Sequence, residues 1–310
     1  MKNIVFLLFL CPTFVAISQD KKMCITVDDL PAVTYNSPRE GLGKEITRKL
    51  INTFDRYGIP AIGFVVEGQL YKGVAIDSAK LEILELWLEN GYDLGNHTYS
   101  HYDYNEVNDT TYFNDILKGQ ILIKPLMKNH HKVLKFFRHP YLRAGIDAVK
   151  SKSLNDFLSE NDYIVSPVTI DNDDYLFAKA YHTACVNNDT LLMKEIGAEY
   201  VYYMEQKLHY FEQVSEDVFN RKITQTLLIH ASQINADYLD ELAEMYTRNG
   251  YTFVSQEEVF NDPAYSTPIT SFSHRGLSWI FRWGLSNGMD REIMENDISV
   301  PQKILELANK

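Results

Sequence analysis

Short apolar runs alternate with longer amphipathic stretches from Met23 onward, and that rhythm dictates the fold. Runs at 23–27, 61–66, 92–95 and 133–137 have the length of buried strands, as do 163–170, 226–229 and 251–254. Between them, helical periodicity predicts helices over 44–57 and 80–90, the second ending at Gly91. In the second helix Leu81, Leu84 and Leu88 form one stripe, with Glu82, Glu85 and Glu89 turned away. A long helix is predicted over 112–128, bent or ended near Pro125. Strand–helix alternation calls for parallel strands with crossover helices, and a chain of 310 residues favours closure into a (β/α) barrel over an open sheet.

Two stretches break the rhythm. Residues 176–221 are almost wholly helical in pattern and rich in tyrosine, which predicts a helical insertion packed on the barrel. After Pro263 the alternation stops, and 267–273 reads as a linker to an amphipathic helix carrying Leu277, Trp279, Ile280, Trp283 and Leu285. The expected organisation is therefore a leader at 1–18, a barrel at 22–262 with its insertion, and a C-terminal extension at 263–310.

The leader follows from Lys2, the apolar run at 4–10 with Phe14, Val15 and Ala16, and the small residues of Ala16-Ile17-Ser18. Together they predict an export signal cleaved before Gln19 and too short to span a bilayer. Cys11 follows the bulky Leu10, which argues against lipidation there. A periplasmic or extracellular location is the consequence. Cys24 and Cys185 lack the spacing of a zinc-binding pair and read as buried singletons, with a disulfide between them left open. A formal charge of −12, with 30 Lys and Arg against 42 Asp and Glu and no basic stripe, excludes nucleic acid as a partner.

Chemistry-bearing residues collect just after the predicted strands, where a barrel places its active site. Asp28-Asp29 ends the first strand, and two adjacent carboxylates repel each other unless positive charge lies nearby. His97 and His101, four residues apart, would share a face if the turn were helical, which suits a metal ion. Arg138-His139-Pro140-Tyr141 follows the next strand, then Asp171-Asn172-Asp173-Asp174-Tyr175, and finally Leu228-Ile229-His230.

These five groups, in this order, resemble the polysaccharide deacetylases of NodB-homology type, carbohydrate esterase family 4, over roughly residues 22–260. The resemblance implies a distorted (β/α) barrel and a divalent metal, most often zinc, with cobalt or nickel as alternatives. It implies Asp29, His97 and His101 as metal ligands, Asp28 as catalytic base and Arg138 as the group that holds it. The Tyr141 amide would meet the oxyanion. His230 would be the general acid, supported by Asp174, with Leu228 and Tyr175 walling the acetyl pocket. An acetylated glycan would be the substrate. Three positions depart from the family pattern: Val27 stands for Phe, Tyr175 for Trp, and Ala231 where Asp is often found.

Other readings compete. Two His and one carboxylate also describe non-haem iron oxygenases, although those need neither a second adjacent Asp nor a distant acid. Hydrolysis of another non-peptide amide or of an O-acetyl ester, and a glycan-binding relic without catalysis, remain open. His130 and His131 are expected at a solvated helix end, and His182, His209 and His274 have no partner at metal spacing. His139 is expected to border the cleft, and Trp279 and Trp283 to pack the last amphipathic helix on the barrel, with a sugar platform as the alternative.

Overall fold

The computed structural model describes residues 21–309; the expected signal at 1–18, with Cys11 and the Ala16-Ile17-Ser18 site, lies outside them. Chain order is β1 (Lys21–Val33), α1 (Leu42–Tyr57), β2 (Ile62–Val65), a small hairpin of β3 (Tyr71–Lys72) and β4 (Ala75–Ile76), α2 (Ser78–Glu89), β5 (Asp93–Asn96), α3 (Asp109–Lys118) and α4 (Ile123–Asn129). There follow β6 (Phe136–Phe137), α5 (Ala148–Glu160), β7 (Ile164–Val165), α6 (Asp174–Val186), α7 (Thr190–Phe219), β8 (Gln225–Ser232), α8 (Gln233–Arg248) and β9 (Tyr251–Phe253). The chain ends through α9 (Gln256–Val259), α10 (Trp279–Ser286) and α11 (Gln302–Ala308).

The main sheet runs β7-β6-β5-β2-β1-β8, with β9 paired to the start of β1, and every pairing in it is parallel. It curls far enough for Ile170, just past β7, to bridge Leu227 of β8. The result is a mostly parallel, distorted (β/α) barrel ringed by helices. Residues Met23 to Asp28 of β1 are all buried, as a central parallel strand covered on both faces requires. Ile46, Leu50 and Phe54 of α1, Trp87 of α2, and Leu239 and Tyr246 of α8 fill the surrounding core.

Several boundaries moved. The predicted 112–128 helix is two helices, α3 and α4, broken at residues 119–122. Pro125 does not end the first. It sits in the opening turn of the second, where a missing N–H costs nothing. On α2 the buried stripe is Ile83, Leu84, Trp87 and Leu88, and Leu81 is only partly buried. The expected strands at 133–137 and 163–170 keep only two ladder residues each, because much of their apolar sequence feeds the core outside the ladder.

Residues 176–221 are largely helical, with α6 and α7 packed on each other and on α8. In the extension, α10 packs on α7 and α11 on α6, and Trp279 and Trp283 are buried core residues rather than a sugar platform. Cys24 and Cys185 are both free thiols. No helix among the described residues is long and apolar enough to cross a membrane.

Candidate active site

At the C-terminal end of β1 the ladder is interrupted, against β2 between Val27 and Leu30 and against β8 between Asp28 and Val33. Neighbouring residues of a regular strand point to opposite faces. Asp29 escapes that rule by taking a left-handed conformation, φ +62°. Asp28 and Asp29 thereby both reach one cavity of about 630 Å³, shared with His97, His101, Tyr141, Tyr175, Leu228 and His230.

The two histidines meet, but not through a helical turn. Residues 97–103 form a loop without helix, in which Thr98 and His101 are left-handed, with φ +64° and +56°. Side chains enforce this shape. Asn96 accepts from the Thr98 amide at 2.7 Å, Thr98 Oγ1 from the His101 amide at 3.0 Å, and Asp115 from the amides of Tyr99 and Ser100. Gly119 lies so close that a Cβ there would sit 2.5 Å from the Thr98 carbonyl carbon. Strained backbone of this kind persists only where the surroundings over-determine it.

His97 and His101 present Nε2 to Asp29 Oδ1 at 3.7 and 3.4 Å. His97 Nδ1 faces the Arg138 carbonyl at 2.8 Å, so it carries the proton and leaves Nε2 free to coordinate. Burial holds the pKa of both imidazoles below the ordinary value, keeping them neutral. Asp29 Oδ1 is buried and accepts no hydrogen bond. One carboxylate and two imidazoles with ligand atoms within 4.8 Å of one another fit a divalent cation. Donors about 2.1 Å from a tetrahedral zinc stand roughly 3.4 Å apart, close to the 3.7 and 3.4 Å that separate the two imidazoles from Asp29 Oδ1.

Asp28 faces His97 Nε2 at 3.8 Å and is almost wholly buried. Burial pushes its carboxyl up to about 6, opposed chiefly by Arg138. The resemblance has Arg138 holding this base, and the guanidinium does lie beside it, but Nε to Oδ1 is 3.8 Å. That is an ion pair without a hydrogen bond. Arg138 spends its Nη2 on Thr26 Oγ1 at 2.7 Å and Ser166 Oγ at 3.2 Å, while Asp28 Oδ1 and Arg138 Nε lack any donor or acceptor.

Across the cavity, Asp28 and His230 are ladder partners of β1 and β8. His230 Nδ1 meets Asp174 Oδ1 at 2.6 Å, while Asp174 Oδ2 accepts the His230 amide and Asn235 Nδ2. Burial opposes a charged His230, but the Asp174 carboxylate outweighs it and raises the imidazole to about 10. Burial likewise works against a charged Asp174, yet His230 and Asn235 hold it below the usual carboxylate range. Asn235 stands five residues past His230 with no motif to mark it; only the fold brings it to Asp174.

Tyr141 lies in a turn with two successive left-handed residues, Tyr141 at φ +55° and Leu142 at +52°. Its ring packs edge-on to His101 at 4.6 Å. Tyr175 stands half-exposed at the rim, its carbonyl accepting from Tyr35 Oη, and Leu228 lines the wall. Of the residues assigned from the sequence, Asp28, Asp29, His97, His101, Tyr141, Tyr175, Leu228 and His230 line one cleft, and Arg138 and Asp174 are buried behind Asp28 and His230. Of the remaining histidines, His139 is buried at the cavity edge, and burial lowers it to about 3. His130 ends α4 against Glu85, and the His182 ring packs at a tilt against Tyr35.

A sequence profile of the polysaccharide deacetylase family matches residues 16–157. No curated protein matches the chain. Among solved structures, an active-restored mutant of a carbohydrate esterase family 4 pseudoenzyme superposes with TM-score 0.52 at 14% identity, over 78% of this chain and 68% of that one. The wild-type pseudoenzyme, from Bacillus anthracis, gives 0.51 at 12% over 78% and 66%. A peptidoglycan N-acetylglucosamine deacetylase gives 0.50 at 19%, over 82% and 90%. At such identities the likeness is one of fold, and it covers more of the chain than the profile match does. Profile and fold point the same way: residues 16–157 match the polysaccharide deacetylase family, and the fold is similar to that of the carbohydrate esterase family 4 structures.

Proposed function

We propose that this protein is a metal-dependent deacetylase that removes acetyl groups from the amide nitrogen of an acetylated glycan. The observation that carries the reading is the meeting, at one cleft, of a carboxylate–imidazole triad whose Asp29 Oδ1 accepts no hydrogen bond with a His–Asp pair joined at 2.6 Å. Since one of the similar structures is a pseudoenzyme, fold alone does not decide activity. The reacting side chains do, and all are present here.

Asp29, His97 and His101 would hold the cation, zinc first, with cobalt or nickel as substitutes. When bound it supplies the positive charge that polarises an acetyl carbonyl and acidifies a water. Asp28, with Oδ1 free, accepts the proton of that water, and Arg138 keeps the carboxylate ionised and oriented. The Tyr141 amide donates to the oxygen on which negative charge develops. His230 delivers a proton to the departing nitrogen and Asp174 keeps it charged for that task. Such an acid matters for an amide, whose nitrogen leaves poorly unprotonated, and matters little for an ester. This favours N-deacetylation over O-deacetylation.

The cleft walls, Leu228 with the half-exposed Tyr141 and Tyr175, suit the flat apolar face of a sugar. Export through the N-terminal leader would bring the enzyme to such a glycan outside the cytoplasm, and a mature chain beginning at Gln19 would support that. The test of function is acetate release from a panel of acetylated glycans, with chelator and with added zinc. Zinc-dependent release is the expected result, and no release from any N-acetylated glycan would overturn the reading.

A further inference from the structure

The C-terminal extension does more than cover the barrel. Residues 273–282 cross three loops that carry the site and are tied to each. The His274 carbonyl accepts from Asn105 Nδ2 at 3.1 Å, in the loop after His101, and Asn105 Oδ1 in turn accepts the Gly145 amide. Trp279 donates its amide to Val168 O at 2.7 Å, and Ser278 Oγ donates to Thr169 O at 2.7 Å, in the segment leading to Asp171. The third tie is to the Tyr141–Leu142 turn. A Cβ on Gly276 would fall 1.8 Å from the Tyr141 carbonyl oxygen, so the strap lies directly on that peptide.

Arg282 anchors this third contact. It is 2% exposed and, among the described residues, has no carboxylate within ion-pair distance. Its Nη2 donates to Leu142 O at 2.6 Å and its Nε to Leu277 O at 3.1 Å. The guanidinium lies 5.0 Å from the Trp279 ring, which is itself stacked on His139. A planar fork can grip two carbonyls at once, which an ammonium on a flexible stem does less well. Two consecutive left-handed residues that are not glycine are costly and need such a clamp.

We propose that Arg282 is a positioning residue for deacetylation, holding the left-handed Tyr141–Leu142 turn so that the Tyr141 amide stays aligned with the acetyl oxygen. The turnover part of this rests on the deacetylase reading; the clamp itself does not. Without Arg282 the Leu142 carbonyl loses its partner and the turn relaxes away from its strained conformation. The substrate still binds, because the metal triad and the walls are untouched, but the developing charge is less well met.

The test compares Arg282→Met, Arg282→Lys and Arg282→Gln with wild type in turnover, zinc content and hydrogen exchange of the 139–145 peptide. Removing one oxyanion donor costs on the order of 10²-fold in kcat, so Arg282→Met should lose about 10- to 100-fold in kcat. KM should stay within about threefold, as loss of an interaction made only in the transition state requires. Zinc content should be unchanged, exchange in 139–145 should quicken, and Arg282→Lys should recover part of the turnover. A wild-type kcat in Arg282→Met, a loss confined to KM, or a loss of kcat with unchanged exchange would each overturn the proposal. If Arg282→Met does not fold, Arg282→Gln decides on the same criteria, since it too removes the guanidinium fork that joins Leu142 O to Leu277 O. If wild type releases no acetate at all, the deacetylase reading falls, and the exchange arm alone decides whether Arg282 clamps the turn.

Discussion

The two sides of the cleft are built on opposite electrostatic plans. On the β8 side the facing pair is bound within the protein: Asp174 accepts three hydrogen bonds, one of them from His230 Nδ1, and His230 is held charged. On the β1 side, Asp28 Oδ1, Asp29 Oδ1 and Arg138 Nε are buried with no hydrogen-bond partner, beside two imidazoles that burial keeps neutral. Buried polar groups left unpaired cost free energy unless something else meets them. On the proposed reading the difference matches two roles: one side holds its proton donor with groups of the protein alone, whereas the other would be completed by a cation and a water. A proton donor needs the first arrangement and a metal centre the second.

Replacing a ligand should break the contrast most severely. His97→Ala, His101→Ala and Asp29→Ala are expected to lose both metal and turnover, checked by elemental analysis beside acetate release. Wild-type protein should melt at a higher temperature with zinc than with chelator, since a ligand that binds only the native state stabilises it. Asp28→Asn comes next. Turnover should fall by about 10³-fold, within the range of a general base, with metal content almost unchanged; loss of the metal as well would show Asp28 to be a ligand.

On the satisfied side the effect should be smaller and substrate-selective. His230→Ala and Asp174→Asn should lower amide cleavage by about 10²-fold while leaving cleavage of an acetyl ester nearly intact. Equal losses on both substrates would mean that His230 does not protonate the leaving group.

The smallest effect concerns the support of the histidine loop. Glu67, whose own amide donates to Thr98 O, accepts the first amides of α4 from Leu122 and Ile123. Burial pushes its carboxyl up to about 7 from an ordinary 4.5, against those donors. The native state therefore binds a proton that the unfolded chain has already released, and stability declines as pH rises between those two values. Urea unfolding at about pH 5 and about pH 8 should show that decline in wild type and a flatter dependence in Glu67→Gln.

What could be read in advance was whatever a local pattern encodes. The alternation of apolar runs and amphipathic helices carried the parallel barrel, and the polar residues after each run marked the cleft. His97 and His101 were legible by spacing, yet the reason was not: a left-handed loop held by Asn96, Thr98 and Asp115 joins them, not a helical face. The break between α3 and α4 was misplaced because Pro in a first helical turn leaves the same mark as Pro at a bend. Asn235 and Arg282 carried no signal at all. Their partners lie 61 and 140 residues away along the chain.

The sequence alone determined the element types and supplied the candidates for reacting groups, because hydrophobic periodicity and side-chain chemistry are local properties. Tertiary structure decided which of those groups face one another, which remain unpaired, and what braces the turn at Tyr141. Those are matters of a few tenths of an ångström between segments far apart in the chain, fixed by packing and long-range hydrogen bonds that no stretch of sequence contains by itself.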